Sequence, residues 1–437
     1  MELIIENIRC FADRQTIPVK PLTLLVGENS AGKSTFLAAL SAVSDPFTFP
    51  LRPRFNNAPY NLGNYDTIAT FHGGRGGRAK SFSLGYNTHS ADGVDNLQII
   101  ATYRDNKGLV ELEQVDIASS VSHMHIKWLE GKPLQIVLTH KEDSITQVYE
   151  NDKAATNEYY SLFNLAELPY LISFMPRSID GEQGSEKLLH LFSIDTELSG
   201  LLRTLSLPQP VSIAPIRTKP KRTYDEVIEE FSPEGEHIPF VLDDVLQDTD
   251  KRAVLERFGA ESGLFSRVAV KQWGRKRSDP IQVMVTNMGR SASSAANLTD
   301  VGYGVSQALP LVVQSVLAAP KSRLLLQQPE VHLHPRAQAA LGTLFVDLLA
   351  SSDKQFVVET HSDYILDRVR QEVAQGKVAA DDVSILYFER EKNGTRIYPI
   401  DVDKAGNIVN APPSYRSFFL QEEINLFNRA NKNGARK

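Results

Sequence analysis

The chain is poor in several things that would place it in a particular class. It has one cysteine, Cys10, so no intramolecular disulfide can form and a cytoplasmic setting is expected. No run of about 18 apolar residues occurs, so no membrane span and no membrane partner is expected. The opening Met1-Glu2-Leu3-Ile4-Ile5-Glu6 lacks the basic leader and apolar core of a signal peptide. No internal repeat is visible and no heptad pattern persists, which excludes a long coiled coil. The formal net charge is −6 over 437 residues, so the molecule is no polycation. Any nucleic-acid contact would have to come from a local basic patch.

What is present is a phosphate-binding signature. Gly27-Glu28-Asn29-Ser30-Ala31-Gly32-Lys33-Ser34-Thr35 fits G-x-x-x-x-G-K-[ST]. The apolar, β-rich run Leu22–Val26 precedes it and the helical pattern 34–40 follows it. Strand, glycine loop and helix is the context the motif requires. Backbone N–H groups from Gly27, Asn29, Ser30, Ala31, Gly32 and the start of the helix would cradle phosphates, helped by the positive end of the helix. Lys33 would reach the β- and γ-phosphates, the Ser34 hydroxyl would ligate Mg²⁺, and Thr35 completes the nucleotide-binding loop. ATP and Mg²⁺ are the expected cofactors.

The rest of the chain reads as α/β at both ends with a different middle. Residues 46–77, rich in Pro, Gly and Asn, read as a long surface loop. Segments 81–86, 97–103, 109–117, 123–128 and 134–139 alternate with a period near two and predict antiparallel strands with one wet face. The pattern turns helical over 158–205 and again over 225–259, with a short strand near Val211 between them. From Val268 onward strands and helices alternate: a hairpin (268–273, 281–286), a helix (305–317), a strand (323–326), a helix (336–350), a strand (355–359), a helix (364–373) and strands at 383–388 and 395–400.

Two polar clusters end the strands of that βαβ unit. Leu324-Leu325-Leu326 runs into Gln327-Gln328-Pro329-Glu330-Val331-His332-Leu333-His334-Pro335, and Val357-Val358 runs into Glu359-Thr360-His361-Ser362. Ligands of such sheets sit at the carboxyl ends of the strands, which puts both clusters beside the glycine loop. A third cluster, Asn297 to Gln307, sets Gly302 and Gly304 just ahead of a helix.

P-loop, Gly/Ser/Gln turn, P-E-x-H-L-H-P strand end and E-T-H-S, in this order, resemble the ABC-type ATPases of the OLD-like and SMC-like (RecF-like) group. The turn Ile8-Arg9-Cys10-Phe11 and the loop Ala214 to Arg222 are similar to segments of that group. The fold the resemblance implies is an α/β ABC-type head, a P-loop mixed sheet with flanking helices and an antiparallel β subdomain, carrying a helical insertion. The implied division is residues 1–77 for the N-terminal half of the head, 78–205 for the β subdomain and insertion, 206–401 for the C-terminal half, and 402–437 for a tail that docks on the head or on a partner. Two heads would sandwich two ATP molecules in a homodimer or higher homo-oligomer. Gly302, Gly304, Ser306 and Gln307 would form the signature loop acting on the partner's γ-phosphate, with either Gly302 or Ser306 aligned to the usual serine. His361 would be the switch histidine, His334 would lie at the dimer seam, and residues 61–66 would correspond to the Q-loop. These nucleotide and interface roles suit the three histidines better than metal ligation.

One departure bears on chemistry. In this group the strand after Arg323 ordinarily ends in two acidic residues, one supporting Mg²⁺ and one polarising water. Here Gln327 and Gln328 stand there. An amide holds a water but has no anionic form to accept its proton. Glu330 and Glu359 are the carboxylates that would substitute. ATP binding with slow turnover is expected, with Gln327 near the metal and Gln328, Glu330 and His361 near the reacting water.

The group also supplies expectations about partners. Relatives of this size, Septu- or PARIS-like, work with a separate effector nuclease in bacterial anti-phage defence. The alternative is a RecF-like ATPase acting on DNA in repair, and a third reading is a stand-alone NTPase. The run Lys271-Gln272-Trp273-Gly274-Arg275-Lys276-Arg277 is either a solvated turn or a nucleic-acid contact with Trp273 as a stacking platform. Arg217, Lys219, Lys221 and Arg222 cluster closely enough to call for an anion or an acidic partner.

Overall fold

The computed structural model describes residues 1–74, 76–89, 96–128, 134–140, 143–149, 207–276, 279–287, 289 and 294–415. The helical expectation for 158–205 and residues 416–437 of the expected docking tail lie outside the described residues.

The centre is a seven-stranded mixed sheet in the order β10-β14-β15-β3-β16-β17-β18. Its strands are β3 (Leu22–Gly27), β10 (Pro210–Ile213), β14 (Arg323–Gln327), β15 (Gln355–Glu359), β16 (Val383–Glu391), β17 (Gly394–Val402) and β18 (Ile408–Val409). The first five positions pair in parallel, and β17 and β18 continue antiparallel. β14 and β15 are short apolar runs buried on both faces, as a sheet covered on both sides requires. Successive residues divide between two cores. Leu25, Leu325, Val357 and Leu386 face one core, where helix α1 (Lys33–Val43) lies. Leu24, Leu326, Val358 and Ile385 face the other. That second core is built by α3 (Ile238–Gln247), α4 (Thr249–Ser262), α5 (Tyr303–Leu317), α6 (Pro335–Ser352) and α7 (Asp363–Ala374), numbered after the one-turn α2 (Tyr65–Ile68).

An eight-stranded antiparallel sheet, β2-β1-β4-β5-β6-β7-β8-β9, covers the α1 side. It runs from β1 (Glu2–Glu6) and β2 (Gln15–Pro18) through β4 (Ser81–His89), β5 (Asn96–Asn106), β6 (Leu109–Ala118), β7 (Ser122–Trp128) and β8 (Leu134–His140) to β9 (Asp143–Tyr149). Five of these strands follow the alternation expected from sequence, and β9 is an addition to it. A smaller sheet joins β11 (Arg267–Gln272), β12 (Ile281–Thr286) and β13 (Ala296–Asn297).

Two expectations change. The 46–77 segment is no mere surface loop: Phe49, Phe55, Tyr60, Leu62, Tyr65 and Ile68 are buried in the first core. Phe55, Phe82 and Tyr103 pack ring on ring there, with centroids 5.2 to 6.2 Å apart. Its apolar anchors are spaced irregularly, so no period reveals them. In the 225–259 stretch, helix begins only at Ile238, after the turn at Pro233 and Gly235.

Candidate nucleotide site

The glycine loop leaves the end of β3 in a conformation that side chains resist. Gly27 has φ 135° and Gly32, which precedes α1, has φ 98°. A Cβ on Gly27 would run into the backbone of Phe388, and one on Gly32 into Cys10 and Phe11. Only glycine serves at either position. Ser30 adopts φ 58°, and Arg390 holds its carbonyl at 2.9 Å. Asn29, Ser30 and Ser34 are exposed, whereas Ala31 and Thr35 are buried. Lys33 is 3% exposed, and its ammonium donates to the carbonyls of Gly27 and Glu28 at 3.0 and 2.7 Å. Burial pushes its pKa down, while Glu359, Glu330 and Glu28 pull it back.

The neighbouring strand ends bring four acidic or amide residues to this edge. β15 lies between β3 and β14, with Glu359 opposite Leu25 on one side and Gln327 on the other. The Ser34 hydroxyl donates to Glu359 Oε2 at 2.9 Å. Gln328 turns with φ 43° and its N–H donates to the Glu359 carbonyl at 2.8 Å. That turn carries Glu330 back to the edge, where its Oε1 accepts the His361 N–H at 2.6 Å. Its Oε2 is buried without a partner among the described residues. Burial, then Lys33, depress the His361 pKa, so its ring favours the neutral form at neutral pH.

Mg²⁺ fits this donor set, because a hydroxyl, a carboxylate and the Gln327 side-chain carbonyl are hard oxygen ligands on one edge. Among the described residues no group of three or more His, Cys, Asp or Glu is arranged to hold a metal.

Residues 163–367 match the family described as "AAA domain, putative AbiEii toxin, Type IV TA system", and residues 1–169 match an AAA ATPase domain family. The chain is similar to an OLD nuclease of Thermus scotoductus (strain ATCC 700910 / SA-01), at 22% identity over 410 residues. That alignment covers 90% of this chain and 64% of the nuclease, so the chain spans less than two thirds of its relative's length. The chain is thus similar to AAA ATPase domains over the ranges that carry the P-loop and both strand-end clusters. Solved structures it resembles include an Smc head bound to the C-winged helix domain of ScpA (TM-score 0.44, 13% identity, 92% of this chain and 98% of that one). Another is the SMC head domain from Thermotoga maritima (TM-score 0.41, 12% identity, 92% and 98%).

Away from the P-loop, the fold places the remaining sequence-marked residues unevenly. Gly302 and Tyr303 are exposed at the start of α5. Ser306 and Gln307 are 3% and 2% exposed, one turn into the helix on its core face. Ser306 donates back to the Tyr303 carbonyl at 2.8 Å. The exposed His332 ring stands edge-on to Tyr303 at 5.0 Å, so the α5 start and the turn after β14 touch within one subunit. His334 caps α6, its Nδ1 accepting from Arg336 N at 3.3 Å. Within residues 61–66, the Asn61 and Leu62 carbonyls accept from Arg9.

The basic loop after β10 divides. Arg222 is paired with Asp300, and Lys219 and Lys221 sit at the surface. Arg217 turns inward and is 2% exposed, a distinction that a count of cations does not make. Trp273 is 60% exposed, but Lys271 lies over its ring at 4.4 Å, so one face is already taken.

Proposed function

We propose that this ATPase binds ATP·Mg²⁺ at the Gly27–Thr35 loop, pairs two heads around the nucleotide, and uses that state to control a separate effector nuclease in bacterial anti-phage defence. The observation that carries the nucleotide reading is the Ser34–Glu359 contact at 2.9 Å beside the His361–Glu330 contact at 2.6 Å. Both lie on the carboxyl edge of one parallel sheet, where such folds hold their ligands. The nuclease relative, of which the chain spans 64%, supports a link to nucleic-acid cleavage without placing that chemistry here.

The roles follow from the donors available. Lys33 exchanges its two backbone carbonyls for phosphate oxygens, and loop N–H groups hold the remaining charge. Ser34 and Glu359 hold Mg²⁺, assisted by Gln327. The ion, when bound, neutralises charge developing on the phosphoryl oxygens. Gln328 orients water without taking its proton. Glu330 is the carboxylate nearest to a base's position, with one oxygen held by His361 and the other unengaged. Loss of a well-placed base ordinarily costs about 10²–10⁴-fold in rate. Turnover is therefore slow and the bound nucleotide acts chiefly as a switch, in a cytoplasmic homodimer or larger homo-oligomer.

Steady-state phosphate release measured beside a nucleotide titration tests this. The expected result is firm binding, slow release, and further loss in Glu330→Gln. Brisk release that survives both Glu330→Gln and Glu359→Gln would defeat the reading. Co-purification of a nuclease polypeptide supports the regulatory role; salt-sensitive capture of DNA by the chain alone favours the repair alternative.

A further inference from the structure

Arg217 is the largest fully buried side chain in the described molecule, at 2% exposure. All three of its guanidinium nitrogens are buried and none has a hydrogen-bond partner among the described residues. A guanidinium removed from water without an anion to pair with it is strongly unfavourable. Burial lowers its pKa to about 10, and the one charge that opposes this is Glu330. Glu330 is also one of the carboxylates acting on Lys33 and on His361, so the three cationic or imidazole groups surround one site.

Strand register gives the same placement. β10 and β14 run parallel with Ile213 opposite Leu326. Arg217 and Glu330 each follow four residues beyond that pair, on the same carboxyl edge as the P-loop. The Thr218 N–H donates to the Glu234 carbonyl at 2.9 Å, which pins the backbone beside Arg217. Five donors in a rigid fork, held dry and unpartnered at a phosphate-binding edge, suit a tetrahedral oxyanion taken bidentately.

We propose that Arg217 binds the terminal phosphoryl group of the nucleotide held by its own subunit. It distinguishes a nucleoside triphosphate from a diphosphate, and it lies too deep to serve a nucleic-acid backbone or an acidic partner surface. This rests on the nucleotide reading above and adds to it a residue that senses the γ-phosphate.

The test compares wild type, Arg217→Met and Arg217→Lys, titrated with ADP·Mg²⁺ and with a non-hydrolysable ATP analogue and Mg²⁺, together with melting curves of the unliganded proteins. In Arg217→Met, affinity for the ATP analogue is expected to fall about ten- to hundred-fold, the scale of a lost charged hydrogen bond. ADP affinity should stay within about twofold, and Arg217→Lys should fall between. Unliganded Arg217→Met should melt at or above wild type, because a buried unpaired charge has been removed. Equal changes for ADP and the ATP analogue, no change for either, or a lowered melting temperature of unliganded Arg217→Met would each overturn the assignment. Wild type that binds neither nucleotide would defeat the nucleotide reading itself, a result distinct from all of these.

Discussion

Ser34 Oγ donates to Glu359 Oε2 at 2.9 Å, joining the first turn of the P-loop helix to a strand more than 300 residues later in the chain. The carboxylate that would support Mg²⁺ stands on β15, while the strand end where the group ordinarily carries acid has Gln327. Glu359→Gln and Ser34→Ala are each expected to weaken Mg²⁺-dependent nucleotide binding by about tenfold or more, with less effect when Mg²⁺ is chelated. The double variant should lose less than the sum of the two, since both act through one ligand set. Titration calorimetry with and without EDTA reads this.

His361 makes the acid limb of stability informative. Its pKa in the folded chain lies below the ordinary 6.5, chiefly through burial. Above pH 6.5 both folded and unfolded imidazoles are neutral and the residue adds no pH dependence. As pH falls from 6.5 toward the lowered folded value, the unfolded chain binds the proton more readily and native stability declines. Melting temperatures from pH 7.5 to 5 should therefore fall less steeply in His361→Gln than in wild type. Because a bound phosphate raises the pKa of an adjacent imidazole, nucleotide binding near pH 6 should also take up protons, seen as a buffer-dependent binding enthalpy.

Arg336 ties two helices that flank the site. Its guanidinium donates to the carbonyls of Glu261 and Ala260 at 2.7 and 2.9 Å, satisfying the exposed end of α4 from the first turn of α6. Arg336→Ala should cost about 1–2 kcal/mol by chemical denaturation. It should leave nucleotide affinity nearly unchanged, because none of these bonds touches the P-loop edge.

Much of the sheet was legible in the chain, for physical reasons that differ by element. β14 and β15 are continuous apolar runs closed by polar clusters, and the alternation of β4 to β8 betrays one wet face. Both signals are local. The burial of Phe49, Phe55 and Tyr60 was not legible, because irregular chain carries no period to reveal which side faces in. At the site, the P-loop could be read from spacing alone, whereas the Ser34–Glu359 contact depends on β15 lying between β3 and β14. Arg217 stood among four nearby cations in sequence. Only the fold separates it from the surface pair Lys219 and Lys221 and from Arg222, which is held by Asp300. The burial of Ser306 and Gln307 was hidden for a related reason: a motif written in sequence does not say which face of α5 it occupies.

On the function proposed above, Gln327 and Gln328 make this site a slow, nucleotide-holding switch. Steady-state phosphate release by wild type and by Gln328→Glu, at saturating ATP·Mg²⁺, tests it most directly. Wild-type turnover is expected to lie below about 0.1 per second, a typical ATPase rate reduced by the loss of its base. Gln328→Glu is expected to gain about tenfold or more. Brisk wild-type turnover, unchanged by Gln328→Glu, Glu330→Gln and Glu359→Gln alike, would contradict it.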